Sequence, residues 1–204
     1  MKEGDEAVLF DGSGSDHKAV IVNFFDDDGV VFRLGETFPS RFMPARKIYL
    51  CAAVVKKDNF ELIVEKATEL GVTDIIPVLA EHSEKKSLNM ERLNKIAIEA
   101  SEQSGRGDVP AVHPIVDLKQ AIDDLKKVKG LKLVAFHAEG DASNRSDLSG
   151  NVPLALFVGP EGGWSPEEIT LFHKENVDIV CLGSQVLRAE TAVIAALSVV
   201  VFNS

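Results

Sequence analysis

Residues 157–172 read FVGPEGGWSPEEITLF, an apolar strand end that runs through a glycine-rich turn into a helix. Val158 finishes the strand. Gly159, Gly162 and Gly163 leave the turn free to adopt positive φ and let a ligand approach the backbone closely. Ser165 suits an N-cap, Pro166 suits the first helical position, and Glu168 three residues after the cap completes a capping box. Trp164, just ahead of the cap, is placed to pack under the start of the helix as a staple residue. The helix start is thus well specified, and the loop before it is the unusual part. No Gly-Lys-Ser/Thr follows, so it is not a Walker phosphate loop, and its glycines do not fit GxGxxG. Glu161 within the loop also argues against a simple phosphate cradle.

Outward from this turn, the chain from residue 48 alternates strand and helix patterns. IYLCAAVV (48–55) is a buried-type strand, and NFELIVEKATEL (59–70) has helical apolar spacing that stops at Gly71. VTDIIPVLA (72–80) is a strand, and NMERLNKIAIEASEQS (89–104) is an amphipathic helix ending at Gly105. LKQAIDDLKKV (118–128) reads as a helix, LKLVAFH (131–137) and PLALFV (153–158) as strands. DIVCLG (178–183) is a further strand, and AETAVIAALSVVVF (189–202) a closing helix. This alternation predicts an α/β domain with a largely parallel sheet over 48–204. Residues 1–47 have another texture: AVLF, AVIVNFF and VVFRL, punctuated by DGSGSD and DDDG. They predict a small antiparallel sheet or barrel, thin and incomplete on its own.

Composition sets the outer limits. With 204 residues, 45% hydrophobic and 26% charged, the chain suits one or two globular domains with a real core. No apolar run approaches the roughly 18 residues of a membrane span, and MKEGDEAVLF does not have the form of a signal peptide. No membrane partner is expected, and the cytoplasm is the default location. The net charge of −10 argues against indiscriminate nucleic-acid binding. It leaves room for a local basic series, Lys85, Lys86, Arg92, Lys95 and Arg106, which could contact RNA backbone or could be a solvated helix face. Cys51 and Cys181 read as buried reduced thiols. His17, His82, His113 and His173 have no metal spacing, so surface or core roles are expected and no metal site.

In open parallel sheets, ligands bind beyond the carboxyl ends of the strands. Three such ends carry unusual residues: FHAEGD (136–141), GPEGGW (159–164) and LGSQVLRAET (182–191). Together they could line a pocket mostly with backbone groups, while Phe136, Leu182, Val186 and Leu187 sandwich a flat ring. No acidic residue stands where a Rossmann domain would hold a ribose. The alternative is a set of tight strand-to-helix turns with no ligand.

GPEGGWSPEE (159–168) followed by LGSQVLRAETAVIAAL (182–197) resembles the RsmE family of small-subunit (16S) rRNA uridine-N3 methyltransferases, of the SPOUT (trefoil-knot) class. ELIVEKATELGVTDIIPVLAEHS (61–83) and ERLNKIAIEASEQSGRGDVPAV (91–112) extend the match in order, so that it spans about 48–202. The resemblance implies a knotted domain whose last helix tucks through a loop to form an S-adenosylmethionine site. It also implies a homodimer acting on small-subunit rRNA or the assembled small ribosomal subunit. The N-terminal strands resemble the family's PUA-like RNA-binding barrel. Family members carry a further strand and a basic segment ahead of the KEGDE stretch, so the barrel here is expected to be short and RNA affinity is the property this touches.

By the same resemblance, the cofactor residues are Phe136, His137, Gly159, Pro160, Gly162, Gly163, Leu182, Gly183, Ser184, Leu187 and Arg188. A sulfonium cation in a tight pocket calls for carbonyl acceptors and apolar walls, not a metal. Ser184 could instead belong simply to a turn, and Arg188 could order the loop. Arg106 is the candidate for stabilising a uracil anion, with a solvated helix-end arginine as the alternative. Glu161 is the candidate proton acceptor, or a structural loop carboxylate. Lys85, Lys86, Arg92 and Arg106 are the candidate RNA contacts. A non-catalytic S-adenosylmethionine- or RNA-binding module and a tRNA-directed SPOUT enzyme are the rival readings.

Overall fold

A computed structural model describes residues 1–25, 29–83, 87–141, 148 and 150–202. The chain forms two compact units, Met1–Met43 with Ser104–Val109, and Pro44–Gln103 with Pro110–Ser204. The sequence texture put a boundary near residue 47 and gave no sign that 104–109 returns to the first unit.

In the first unit, β1 (Glu6–Phe10), β2 (Ser15–Phe24) and β3 (Val30–Pro39) form an antiparallel sheet in that order. β2 and β3 run beyond the apolar patterns that announced them. Polar cross-strand pairs carry the extension: Lys18 Nζ reaches Glu36 at 3.1 Å, and His17 Nδ1 lies 2.9 Å from the Thr37 hydroxyl. The β2–β3 register shifts between His17 and Ala19 and again between Ile21 and Asn23, where bulges add twist. Residues 104–109 join this unit through a bridge between Ser13 and Asp108 and a Gly14 N–H bond to the Gly107 carbonyl at 3.1 Å.

The second unit is built on a parallel sheet. Its strands are β4 (Ile48–Ala53), β5 (Asp74–Leu79), β6 (Ala111–Val112), β7 (Val116–Asp117), β8 (Lys132–Asp141), β9 (Leu154–Val158) and β10 (Asp178–Val180). The order is β10-β8-β9-β4-β5-β6, with β7 also on β5. All five residues of β9 are buried. A central parallel strand covered on both faces has no wet side, which is why LALFV and IYLCAA read as continuous apolar runs without alternation. β6 and β7, two residues each, carry no readable period and were invisible in the sequence.

Five helices accompany the sheet among the described residues: α1 (Lys57–Glu69), α2 (Met90–Ser104), α3 (Leu118–Leu125), α4 (Pro166–Lys174) and α5 (Ala189–Phe202). α1 buries Phe60, Ile63, Val64 and Ala67, a stripe at the spacing its sequence displays. α3 stops at Leu125, short of the lysines expected to end it. α4 starts as its residues dictate: the Ser165 hydroxyl accepts from Glu168 N–H, and the Glu168 carboxylate accepts from Ser165 N–H at 2.8 Å. Cys51 and Cys181 are both buried free thiols, and burial pushes the Cys51 thiol well up.

Candidate active site

Beyond the carboxyl ends of β9 and β10, beside the middle of β8, lies a cavity of about 300 Å³. β8 gives it Phe136, His137 and Ala138. β9 and the turn after it give Val158, Gly159, Pro160, Glu161, Gly162, Gly163 and Trp164. The loop after β10 gives Leu182, Gly183, Gln185, Val186 and Leu187, and α5 gives Ala192. These are the three segments singled out in the sequence, brought together by the order β10-β8-β9, although β8 runs on to Asp141, past the end its apolar run suggested.

The turn is shaped by its neighbours as much as by its glycines. Gly163 alone of the three takes positive φ, at 70°. Gly159 is small for a different reason: a Cβ there would come within 3.1 Å of the Trp164 indole. Trp164, 5% exposed, stands edge-on to Phe172 with ring centroids 5.1 Å apart. Its Nε1–H donates to the Phe136 carbonyl at 3.2 Å, so one side chain ties the turn to the middle of β8, where its pairing with β9 ends. Gly163 N–H closes the turn on the Pro160 carbonyl at 2.8 Å.

Two further side chains reach the turn from outside. His82 Nδ1 lies 3.1 Å from the Gly163 carbonyl, and Asn59 Nδ2 lies 3.4 Å from Glu161 Oε1. Neither was singled out for this site in the sequence, because each meets the turn across 81 or more residues and no local pattern announces it. Across the cavity, His137 Nδ1 accepts from Glu139 N–H at 3.2 Å, which puts the proton of the neutral ring on Nε2. The Cys181 thiol donates to the Gly183 carbonyl at 3.0 Å.

Of the residues expected to hold a cofactor, Ser184 and Arg188 do not line the cavity and are solvent-exposed. Turned inward, the Arg188 guanidinium would forfeit its hydration against apolar walls. Glu161 lines the cavity with an exposed side chain. Arg106 belongs to the first unit, is 5% exposed, and forms a two-pronged pair with Asp108, both contacts at 2.9 Å. Arg92 pairs with Glu61 at 2.7 Å, beside Asp58, Glu65 and Glu99. Lys85 and Lys86 lie outside the described residues. Among the described residues, no group of three or more His, Cys, Asp and Glu side chains could hold a metal ion, and no helix is long and apolar enough to cross a membrane.

Residues 43–201 match the RNA methyltransferase domain family. Ribosomal RNA small subunit methyltransferase E of Rickettsia conorii is 34% identical over 203 residues, covering 97% of this chain and 81% of that protein. Among solved structures, a Legionella pneumophila methyltransferase with bound S-adenosylmethionine is similar with a TM-score of 0.87 and 31% identity, over 98% of this chain and 84% of that one. Ribosomal RNA small subunit methyltransferase E of Neisseria gonorrhoeae, bound to S-adenosylmethionine, gives a TM-score of 0.87 and 27% identity, over 97% and 83%. Fold and cavity together define a SPOUT-type (trefoil-knot) methyltransferase domain, and the N-terminal antiparallel sheet fits a PUA-like barrel. The chain belongs to the RNA methyltransferase domain family, alongside the small-subunit methyltransferases E.

Proposed function

We propose that this chain methylates N3 of a uridine in small-subunit ribosomal RNA, using S-adenosylmethionine. The observation that carries the reading is the cavity where these three segments meet, walled by Phe136, Val158, Leu182 and Leu187 and floored by a glycine turn. Its chemistry fits that co-substrate: apolar faces for the adenine ring, and a turn where Gly163, with open space where a Cβ would stand, lets a ligand lie against the backbone. S-adenosylmethionine supplies an electrophilic methyl group on a sulfonium.

The residues of the chain hold, orient and dry the site. Phe136 and the two leucines exclude water, which strengthens every electrostatic contact inside. Uracil N3 carries a proton at neutral pH, so a group that accepts it speeds the reaction. Glu161 is the residue for this role, as an ionisable side chain on the cavity wall. Arg106 would serve a uracil anion only by exchanging Asp108 for substrate. The remaining acceleration comes from positioning, which alone is worth up to about 7–11 kcal/mol in well-oriented systems.

The working unit is a homodimer in the cytoplasm, acting on rRNA or the assembled small subunit. α5 supports the dimer: its sequence is apolar apart from Glu190, Thr191 and Ser198, yet Ile194 and Ala195 stay partly exposed and Phe202 is 73% exposed. Apolar side chains left uncovered on so apolar a helix call for a partner surface. The deciding assay is transfer of labelled methyl from S-adenosylmethionine to small ribosomal subunits lacking the modification. Label mapped to uridine N3 is the expected result, and no incorporation beside an active relative would refute the reading.

A further inference from the structure

The turn that follows β5 is fixed at both ends before it reaches the cavity. Ser83 N–H donates to the Ala80 carbonyl at 3.0 Å, and Ala80 N–H donates to the Ser83 hydroxyl at 3.1 Å. Glu81 N–H donates to Glu168 Oε1 at 2.9 Å, while the other oxygen of Glu168 caps α4. The turn is therefore bolted to the same helix start that ends the glycine loop. His82 projects from it onto that loop. A Cβ built on Gly162 would meet His82 Cβ at 3.0 Å, so the side chain lies directly over the glycine. Its Nδ1 lies 3.1 Å from the Gly163 carbonyl. A carbonyl only accepts, so Nδ1 carries the proton.

We infer that His82 is a positioning residue for the cofactor: its Nδ1–H and ring hold the Pro160–Gly163 turn in the form that lines the cavity. The inference rests on the reading of that cavity as an S-adenosylmethionine site. His82 acts on the turn from outside, since it is not one of the residues lining the cavity. The turn's internal bond from Gly163 N–H to the Pro160 carbonyl lies next to the one His82 makes, so losing the outer bond loosens the inner one. Without its latch the turn samples other conformations, and a ligand must select the competent one at a cost in apparent affinity.

The test is calorimetric titration of the full chain with S-adenosylmethionine, on His82→Ala, His82→Asn and His82→Asp. Asn places an amide N–H donor on Cγ where His carries Nδ1; Asp places only acceptors there. Ala and Asp should weaken binding roughly three- to tenfold, the range for one lost hydrogen bond, and Asn should bind within about twofold of the unsubstituted protein. In the ligand-free protein, the Gly163 amide should exchange with solvent several-fold faster in Ala and Asp and not in Asn. His82 is solvent-exposed, so all three variants should melt close to the unsubstituted protein. Ala binding as tightly as the unsubstituted protein overturns the role of His82, as does Asn failing equally with Ala. No binding by the unsubstituted protein overturns the cofactor reading itself, and this proposal with it.

Discussion

The Arg46 guanidinium donates from Nη2 to the Val200 carbonyl at 2.5 Å, joining the start of the α/β unit to the last turn of α5 across 154 residues. The same group donates to the carbonyls of Leu148 at 2.8 Å and Gly150 at 2.6 Å. Three carbonyls thus share one cation that is only 9% exposed, and burial holds its pKa below the ordinary arginine value. The last carbonyls of a helix lack intrahelical donors and carry its negative end, so a guanidinium there satisfies both.

Arg46→Ala should therefore strip donors from three carbonyls at once and cost roughly 3 kcal/mol of unfolding free energy. Urea denaturation followed by circular dichroism measures it. Arg46→Lys should recover part of the loss, since an ammonium keeps the charge but lacks the planar fork. A loss under 0.5 kcal/mol in the Ala variant, well below the range of roughly 1.5–3 kcal/mol for one charged hydrogen bond, would dismiss the clamp.

Arg106 is buried, and the Asp108 carboxylate it pairs with is partly so. Removing the arginine leaves a carboxylate with 18% side-chain exposure facing a lost partner. Arg106→Ala should destabilise the N-terminal unit by roughly 1.5–3 kcal/mol, the loss of a charge-assisted hydrogen bond, while binding of S-adenosylmethionine to the other unit stays within about twofold. Limited proteolysis of 1–43 together with calorimetric titration separates the two effects. If Arg106 also stabilises a uracil anion, turnover on ribosomal substrate falls beyond what the unfolded fraction explains.

Gly159 packs against Trp164, so Gly159→Ala must push the indole away from the Phe136 carbonyl or shift the turn. The expected outcome is an increase in Kd for S-adenosylmethionine of at least tenfold, with a small loss of stability. Ser165→Ala provides the contrast: it removes a cap worth about 1 kcal/mol and leaves the cavity wall in place. Thermal melts and calorimetry on the two variants should rank them in opposite orders.

The Glu61 carboxyl is held below its ordinary value of 4.5, chiefly by its hydrogen bond to Arg92. A lowered folded pKa means stability that is present above the unfolded value and lost as pH falls through the folded one. Glu61→Gln should therefore lower the melting temperature slightly at pH 7 and by less at pH 3, flattening the acid limb. The effect is small because surface pairs contribute little. An acid limb identical in both proteins would remove the pair from the account.

Ile194→Glu on the half-exposed face of α5 should convert a dimer to a monomer in light scattering while the monomer keeps its fold. A single monomeric mass for the unsubstituted protein at micromolar concentration would refute the dimer.

Much of this protein was legible in its residues. The capping box at Ser165 and Glu168, the continuous apolar strands and the amphipathic α2 are local, and local chemistry repeats at short spacing. The three segments that build the cavity were also readable, because parallel sheets put their functional loops at one edge. Trp164 was expected to pack under the start of α4; its ring stands against Phe172 in the last turn of that helix, and its bond to Phe136 was not foreseen. What escaped was long-range. Residues 104–109 run from the last residue of α2 through its Gly105 stop, and nothing local in them points to the first unit; only the pairing of Gly107 and Asp108 with Gly14 and Ser13 assigns them to it.

The same division holds at the site. Sequence by itself determined the elements, the glycine turn and the helix that follows it, since these depend on neighbours a few residues apart. Tertiary structure alone decided that Ser184 and Arg188 face water, that His82 lies over Gly162, and that Arg46 gathers carbonyls from two distant segments. Hydrogen bonds between a side chain and a remote carbonyl leave no periodic trace, because any residue supplies the acceptor. Only the folded path of the chain chooses which one.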